Sequence, residues 1–239
     1  MMFPYQYILF DLDGTLSCSA PGITRSLQYG LASIGIEASL ASLTRFIGPP
    51  LNVELSRVYH LPAGDIEKVI SRFRDRYESK GIFETSLYPG VEALLRDTAA
   101  AGLVLAVASS KPEPHVRRLM EHFHLTSCFS VISGSDIQDE LSNKSGADNK
   151  AQVIAKTLSR LREKHPGLAL HETLMIGDTV YDLRGAEENR LDALAVTYGY
   201  GDPAELAAGH PAYLMHSAGE VRRFLLTGCL TGRSARNEA

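Results

Sequence analysis

The chain has 239 residues, of which 24 are Lys or Arg and 28 are Asp or Glu, giving a formal net charge of −4. This length is enough to bury a full core, either as one medium domain or as one domain with a smaller insertion. Because the basic residues are spread among acidic ones, no basic stripe is available for a phosphate backbone, and nucleic acid is excluded as an expected partner.

The first predicted element is a buried strand at residues 7–10, followed at once by DLDGT at residues 11–15. Asp11 and Asp13 are two residues apart, so their side chains leave the strand on the same face and their carboxylates repel each other. Gly14 allows the chain to turn tightly directly afterwards. By itself, the pattern is equally consistent with an Asx-type turn that ends a strand and has no catalytic role.

The next segment, residues 18–83, has the pattern of amphipathic helices without strands. Apolar residues recur at helical spacing at residues 23–34 and again at residues 66–77. Between these helices, RFIGPPL at residues 45–51 predicts a loop, because Pro50 keeps the residue before it out of the α region. We therefore expect a helical unit inserted into the chain at residues 18–83.

Beyond this segment, short apolar runs alternate with helical patterns, which is the signature of an open α/β sheet. Four runs indicate buried parallel strands, at residues 103–110, 129–134, 173–178 and 192–199. The predicted fold is therefore a Rossmann-like parallel sheet with helices on both faces, plus the inserted helical unit. Its predicted division is a core at residues 1–17 and 84–230, the helical unit at residues 18–83, and a disordered tail at residues 231–239.

In open parallel sheets, ligands lie beyond the carboxyl ends of the strands, so the residues at those ends are candidates for a site. Ser109 stands at the end of the second strand, although serines at such positions are more often turn formers. Asp178 ends the fourth strand, and Asp182 follows at the start of a helix, where aspartate is ordinarily a cap. Together with Asp11 and Asp13, these residues place four carboxylates at one edge of the sheet.

Four carboxylates in one crevice repel each other unless a cation is bound. Mg²⁺ suits this composition, because it prefers carboxylates, waters and phosphate oxygens as ligands. Zinc or a redox metal would require His or Cys, and the eight histidines lie mostly on helical or loop stretches without ligand spacing. The predicted cofactor is therefore Mg²⁺.

A phosphate bound at this edge also needs a positive charge opposite the aspartates. Lys150 opens a predicted helix in DNKAQVIAKTL, so its ammonium can reach the crevice. Lys144 is the competing candidate, and a lone lysine at a helix start is usually a solvated surface residue. On these residues alone, the choice between the two lysines stays open.

Cysteine usage and the amino terminus bear on where the protein works. Cys18, Cys128 and Cys229 lie far apart without a Cys-x-x-Cys pair, so no disulfide framework or zinc site is predicted. The amino terminus lacks a secretory pattern, and no apolar run approaches the roughly 20 residues that cross a bilayer. We expect a cytoplasmic protein without membrane contact, as a monomer or homodimer.

These motifs together resemble the haloacid dehalogenase superfamily of phosphatases. Four motifs occur in the family's order: DLDGT at residues 11–15, Ser109 at a strand end, Lys150, and GDTVYD at residues 177–182. Three shorter stretches resemble the phosphoglycolate phosphatase and 5′-nucleotidase-like branch: GPPL at residues 48–51, YPGV at residues 88–91 and YGYG at residues 198–201. A departure is Ser110, which stands where many relatives have Asn.

The resemblance implies a phosphatase in which Asp11 is the nucleophile and becomes an aspartyl phosphate. It implies that Asp13 protonates the leaving oxygen and then activates the hydrolytic water. The implied Mg²⁺ ligands are the Asp11 carboxylate, the Asp13 backbone carbonyl and the Asp178 carboxylate. Asp182 is implied to lie close behind them, where it holds a metal-bound water or the motif lysine.

For the substrate, the resemblance implies that Ser109 and Lys150 bind the phosphoryl oxygens. Lys150 is preferred to Lys144, because KAQVI places it just ahead of an apolar helix face, as in relatives. The helical insertion matches the position of the family's cap, which closes over the crevice and contacts the non-phosphate part of the substrate. The implied substrate is a small phosphorylated metabolite, of the phosphoglycolate or nucleoside monophosphate type.

Several other activities use the same fold. A phosphoglucomutase-like phosphoryl transfer keeps all four motifs, so the catalytic set does not exclude it. A non-catalytic binding protein of this fold is a further alternative, because fold alone does not prove function. A dehalogenase is disfavoured by the presence of Asp13 and the acidic fourth motif, and a phosphonatase by the absence of a recognisable setting for Lys68 or Lys80.

Overall fold

The computed structural model describes residues 4–49, 51–136 and 146–229, with the backbone alone at residues 146–149. Lys144 and the tail predicted at residues 231–239 therefore lie outside the described residues. Within the described ranges, no helix is both long and apolar enough to cross a membrane.

The strands form one parallel sheet and one small ribbon. The described residues contain eight strands: β1 (Tyr7–Phe10), β2 (Ser17–Cys18), β3 (Ser86–Leu87), β4 (Val104–Pro112), β5 (Phe129–Ser135), β6 (Thr173–Gly177), β7 (Asp192–Val196) and β8 (Tyr213–Met215). Six of them are parallel in one sheet, in the order β5-β4-β1-β6-β7-β8, so the prediction of a parallel α/β sheet is confirmed. The short strand β8 was not predicted, because three residues are too few to show a period.

The inserted segment folds as three helices: α1 (Ala20–Ala32), α2 (Leu51–Tyr59) and α3 (Ala63–Ser79). They enclose a small apolar core of their own, which includes Leu27 and Leu55. The sequence predicted α1 and α3 but not α2. The loop predicted at residues 45–51 is shorter than expected, because a 3-10 turn extends to Phe46 and α2 begins at Leu51. The antiparallel pair of β2 and β3, also not predicted, brings the two ends of the insertion together.

Six further helices cover the sheet: α4 (Val91–Ala100), α5 (Glu113–His122), α6 (Gly146–Lys164), α7 (Val180–Glu188), α8 (Pro203–Ala208) and α9 (Ala218–Thr227). Residues of α4, α5 and α9 pack on the face that carries Ile8 and Phe10. Residues of α6, α7 and α8 pack on the opposite face, with Leu9. Alternate side chains of a strand point to opposite faces, so the continuous apolar run of β1 serves both layers. The prediction of helices on both faces is confirmed.

Candidate active site

The carboxyl ends of three neighbouring strands bring the candidate residues together. β1 pairs in parallel with β4 on one side and with β6 on the other. Asp11 follows β1 directly, and its backbone N–H donates to the carbonyl of Ile176 in β6 at 2.9 Å. Because parallel strands deliver their last residues to the same edge of a sheet, Asp11, Ser109 and Asp178 meet there.

Asp11 and Lys150 form a buried ion pair. The Lys150 Nζ lies 2.5 Å from the Asp11 Oδ1, and the two side chains are 3% and 10% exposed. The same ammonium donates to the carbonyl of Ala108 at 2.9 Å and lies 2.7 Å from the Asp182 Oδ1. The ammonium therefore has two hydrogen-bond acceptors and a second carboxylate partner around it. Of the two lysines left open by the sequence, Lys150 is thus placed directly at the aspartates.

Burial and charge act in opposite directions in this pair. Burial raises the pKa of Asp11 to about 6, against the opposing effect of the Lys150 ammonium, and the Asp182 carboxylate adds to the increase. Burial by itself would lower the pKa of Lys150, but Asp11 and Asp182 outweigh it and hold that pKa above its ordinary value. Lys150 therefore stays charged and neutralises part of the acidic cluster.

Asp182 joins the start of α7 to this lysine. Its Oδ2 accepts hydrogen bonds from the Thr179 backbone N–H at 3.0 Å and from the Thr179 hydroxyl at 2.8 Å. Thr179 and Asp182 thereby form a capping box at the start of α7. With Oδ1 on Lys150 and Oδ2 on Thr179, Asp182 is at once the expected helix cap and a partner of the motif lysine.

Asp178 is fully buried just after β6. Its Oδ1 accepts a hydrogen bond from the Thr15 hydroxyl at 3.1 Å, and its Oδ2 accepts one from the Tyr200 backbone N–H at 2.7 Å. Two glycines leave room for this carboxylate, because a Cβ added at Gly14 or Gly199 would lie 2.0 or 2.3 Å from the Asp178 Oδ2. The DLDGT turn therefore also shapes the site of a carboxylate that is distant in sequence.

The buried carboxylates have the composition of a site for a hard cation. Asp11, Asp178 and Asp182 each offer one oxygen, and these oxygens lie within 4.8 Å of one another. Burial, together with the charges of Asp182 and Asp11, raises the pKa of Asp178 well above its usual value. A divalent cation relieves such repulsion, and an all-oxygen set suits Mg²⁺ rather than zinc. Asp11, Asp178 and Asp182 could each supply an oxygen to such a cation.

Asp13, the second carboxylate of the DLDGT motif, pairs with a different lysine. Its Oδ2 lies 2.8 Å from the Lys111 Nζ, and the Asp13 and Lys111 side chains are 15% and 7% exposed. The Ser17 hydroxyl lies 3.5 Å from the Asp13 Oδ1, at the outer limit of a hydrogen bond. No role was predicted for Lys111 from the sequence. Its place two residues after Ser109, at the same strand end, is the signal that could have found it.

A cavity opens directly above these residues. Its floor includes Asp11, Asp13, Ser109 and Lys150, whereas Asp178 and Asp182 are buried behind Asp11. The Ser109 hydroxyl accepts a hydrogen bond from the Lys111 backbone N–H at 3.3 Å. The helical unit and its loop also line the cavity, with Arg74 and with mainly apolar side chains: Ile23, Phe46, Ile47, Leu51, Phe73 and Tyr77. The cavity therefore combines the charged groups of the sheet edge with a largely apolar lining from the helical unit.

The chain is similar in sequence and fold to known hydrolases. The family model of haloacid dehalogenase-like hydrolases matches residues 8–196. A 5′-nucleotidase of Pseudomonas aeruginosa is 35% identical over 222 residues, which are 92% of this chain and 96% of that protein. A phosphoglycolate phosphatase of Yersinia pestis is 31% identical over 210 residues, 85% of this chain and 86% of the relative. The crystal structure of a predicted phosphatase from Clostridium acetobutylicum aligns with a TM-score of 0.82 at 37% identity, covering 93% of this chain and 99% of that one.

Proposed function

Because the chain belongs to the haloacid dehalogenase-like hydrolases and is a phosphatase of phosphomonoesters, we propose that it works with Mg²⁺ through an aspartyl phosphate on Asp11. The observation that carries this proposal is the position of Lys150, whose ammonium contacts both Asp11 and Asp182 in a buried site. Such a contact orients the Asp11 carboxylate and keeps a positive charge where a phosphoryl group would arrive.

In the first step, an Asp11 carboxylate oxygen attacks phosphorus, and the bond from phosphorus to the ester oxygen breaks. Asp13 donates a proton to that oxygen, so that the alcohol leaves in neutral form. Ser109 and Lys150 line the cavity floor beside Asp11 and bind the phosphoryl oxygens as negative charge spreads over them. The products of this step are the alcohol and a phosphorylated Asp11.

In the second step, Asp13 takes a proton from a water molecule, and the water oxygen attacks the phosphorus of the phosphorylated Asp11. The bond between phosphorus and the Asp11 oxygen breaks, which returns the carboxylate and releases inorganic phosphate. Asp13 thus gives up one proton and regains one, so the enzyme ends in its starting state. The Asp11 and Asp178 carboxylates and the Asp13 carbonyl would hold Mg²⁺, which would neutralise negative charge on the phosphoryl group.

We propose that residues 18–83 act as a cap that selects the alcohol part of the substrate. Apolar side chains of this unit, among them Phe46 and Phe73, line the cavity together with the aspartates. Among the substrates implied by the resemblance, this lining and the 35% identity to a 5′-nucleotidase favour a nucleoside monophosphate over phosphoglycolate, because an apolar lining suits a base better than a second carboxylate. We also propose a cytoplasmic location and a monomer or homodimer.

The test is phosphate release by the purified protein from nucleoside monophosphates, phosphoglycolate and p-nitrophenyl phosphate, with Mg²⁺ or with chelator. We expect release that requires Mg²⁺ and is lost in Asp11→Asn. Trapping the reaction with acid should leave phosphate bound to the wild-type protein and not to Asp11→Asn. If no ester releases phosphate but the protein exchanges phosphoryl groups between sugar phosphates, the mutase is favoured instead. If the protein shows neither of these activities, a binding protein is favoured.

A further inference from the structure

Lys111 is a buried lysine that joins the sheet to the helical unit. It lies near the end of β4, and its Nζ lies 2.8 Å from the Asp13 Oδ2. The same Nζ donates a hydrogen bond to the Tyr77 hydroxyl in α3 at 2.8 Å. The Lys111 side chain is only 7% exposed, so water competes little for these contacts.

Tyr77 is held in place by its neighbours. Its ring stacks on Phe73 with centroids 5.4 Å apart and meets the edge of His115 at 5.8 Å. Phe73 belongs to α3 of the helical unit, whereas His115 belongs to α5 beside the sheet. Tyr77 is 5% exposed. Because the ring is packed from both units, its hydroxyl is a defined point at which the helical unit touches Lys111.

Asp13 has few other strong contacts in the part of the chain that the structure describes. Apart from the bond to Lys111, its carboxylate approaches the Ser17 hydroxyl at 3.5 Å, which is a weak hydrogen bond. Asp11 differs, since its carboxylate is fixed by Lys150 at 2.5 Å. The orientation of the Asp13 carboxylate therefore depends mainly on Lys111.

We propose that Lys111 and Tyr77 are positioning residues through which the helical unit orients the Asp13 carboxylate for proton transfer to the leaving oxygen. Lys111 contacts Oδ2, which leaves Oδ1 to carry the proton, and the carbonyl oxygen of a protonated carboxyl group still accepts a bond from an ammonium. A proton donor that is poorly aligned loses most of its benefit. The inference rests on the proposed function, because it assigns Asp13 as the acid.

This role has a kinetic signature that simple substrate binding lacks. An ester whose alcohol is a weak acid needs a proton as its bond breaks, whereas p-nitrophenolate leaves without one. If the Asp13 carboxyl group is misaligned, hydrolysis of an ester with a weakly acidic alcohol must therefore slow more than hydrolysis of p-nitrophenyl phosphate. The value of kcat/KM reports this step, because it covers events up to the first irreversible bond cleavage and excludes hydrolysis of the common intermediate.

The experiment compares p-methylphenyl phosphate with p-nitrophenyl phosphate, two esters of similar size, in the full chain with Mg²⁺. The measured quantity is the ratio of kcat/KM for the p-methyl ester to that for the p-nitro ester. We expect this ratio to fall about 100-fold in Asp13→Asn, about tenfold in Lys111→Met and about threefold in Tyr77→Phe. Tyr29→Phe, at a tyrosine that is 50% exposed on α1, is the matched control and should keep the wild-type ratio.

Each of the other possible results overturns one part of the inference. Equal losses with both esters in Lys111→Met would make Lys111 a substrate contact or a folding residue. A normal ratio in Tyr77→Phe would overturn the part played by the helical unit. Wild-type activity with an unchanged ratio in Asp13→Asn would remove Asp13 as the acid and the inference with it. A wild-type protein that hydrolyses neither these esters nor any in the wider panel would instead overturn the proposed function itself.

Discussion

Two ionic clusters among the described residues differ in the balance of their positive and negative charges. The buried acidic cluster consists of Asp11, Asp178, Asp182 and Lys150. The Glu113 cluster consists of Glu113 with Arg117, Lys156 and Arg160, at 2.7, 3.3 and 2.7 Å, and its three cations are 28–50% exposed. The first contains three carboxylates and one ammonium, whereas the second contains one carboxylate and three cations.

The pKa values of the two clusters move in opposite directions. Burial raises the pKa of Asp11 to about 6. Burial also opposes ionisation of Glu113, but the cations Arg117, Arg160 and Lys156 outweigh it and lower the pKa of Glu113 to about 2. A raised carboxyl pKa means that the ionised group reduces stability at neutral pH, and a lowered one means that it adds stability. The ionised Asp11 carboxylate therefore reduces stability, whereas the Glu113 cluster stabilises the fold.

Asp11→Asn should produce the largest change in activity, and it tests whether the ionised Asp11 carboxylate reduces stability. Activity should fall by about 10⁴-fold or more, because the amide cannot act as the nucleophile. The urea midpoint measured without Mg²⁺ should rise, because a carboxylate that burial disfavours has been removed. Phosphate release and urea unfolding at pH 7 check both parts. A midpoint clearly below that of the wild type would contradict the view that this charge reduces stability.

Lys150→Ala should lower activity by about 10²–10³-fold, because it removes the charge beside the phosphoryl group. It should also lower the urea midpoint, because Asp11 and Asp182 lose the cation between them. Lys144→Ala is the matched control, and its turnover should exceed that of Lys150→Ala by a wide margin. The reverse ranking in a steady-state assay would show that the other lysine supplies the charge.

Asp178→Asn should raise the Mg²⁺ concentration for half-maximal activity by about tenfold or more. In the absence of Mg²⁺ it should be more stable than the wild type, because burial and its acidic neighbours disfavour the ionised carboxylate. Titration of activity with Mg²⁺ and unfolding in chelator measure the two effects. An unchanged Mg²⁺ requirement would exclude Asp178 as a ligand.

Glu113→Gln should show the opposite behaviour, with normal activity and lower stability. The expected loss at pH 7 is about 1 kcal/mol, because the partly exposed cations are screened by water and salt. Since the folded-state pKa is lowered, the loss should be complete above the ordinary pKa of Glu and should disappear as the pH falls towards about 2.

Urea unfolding at several pH values measures this trend. Glu92→Gln, which removes an exposed ion pair with Arg96, is the control and should change stability little at any pH. A pH-independent loss in Glu113→Gln would mean that packing, and not charge, is responsible.

Part of the site and of the fold could be predicted from the sequence. Asp11, Asp178 and Lys150 were found as candidates because each stands at the end of a strand or the start of a helix, where parallel sheets place their sites. Their convergence follows from β1 lying between β4 and β6. The helix α2 and the strand β8 were missed, because elements of nine and three residues are too short to show a clear period.

The sequence by itself determined the parallel sheet and its acidic edge, because apolar periodicity and strand-end residues are local features of the chain. Only the tertiary structure decided which lysine serves which aspartate. Lys111 pairs with Asp13, which belongs to a different strand end, and Lys150 meets Asp11 from 139 positions away in the chain. Such contacts depend on how separate layers pack, and no local pattern of residues encodes the distance between them.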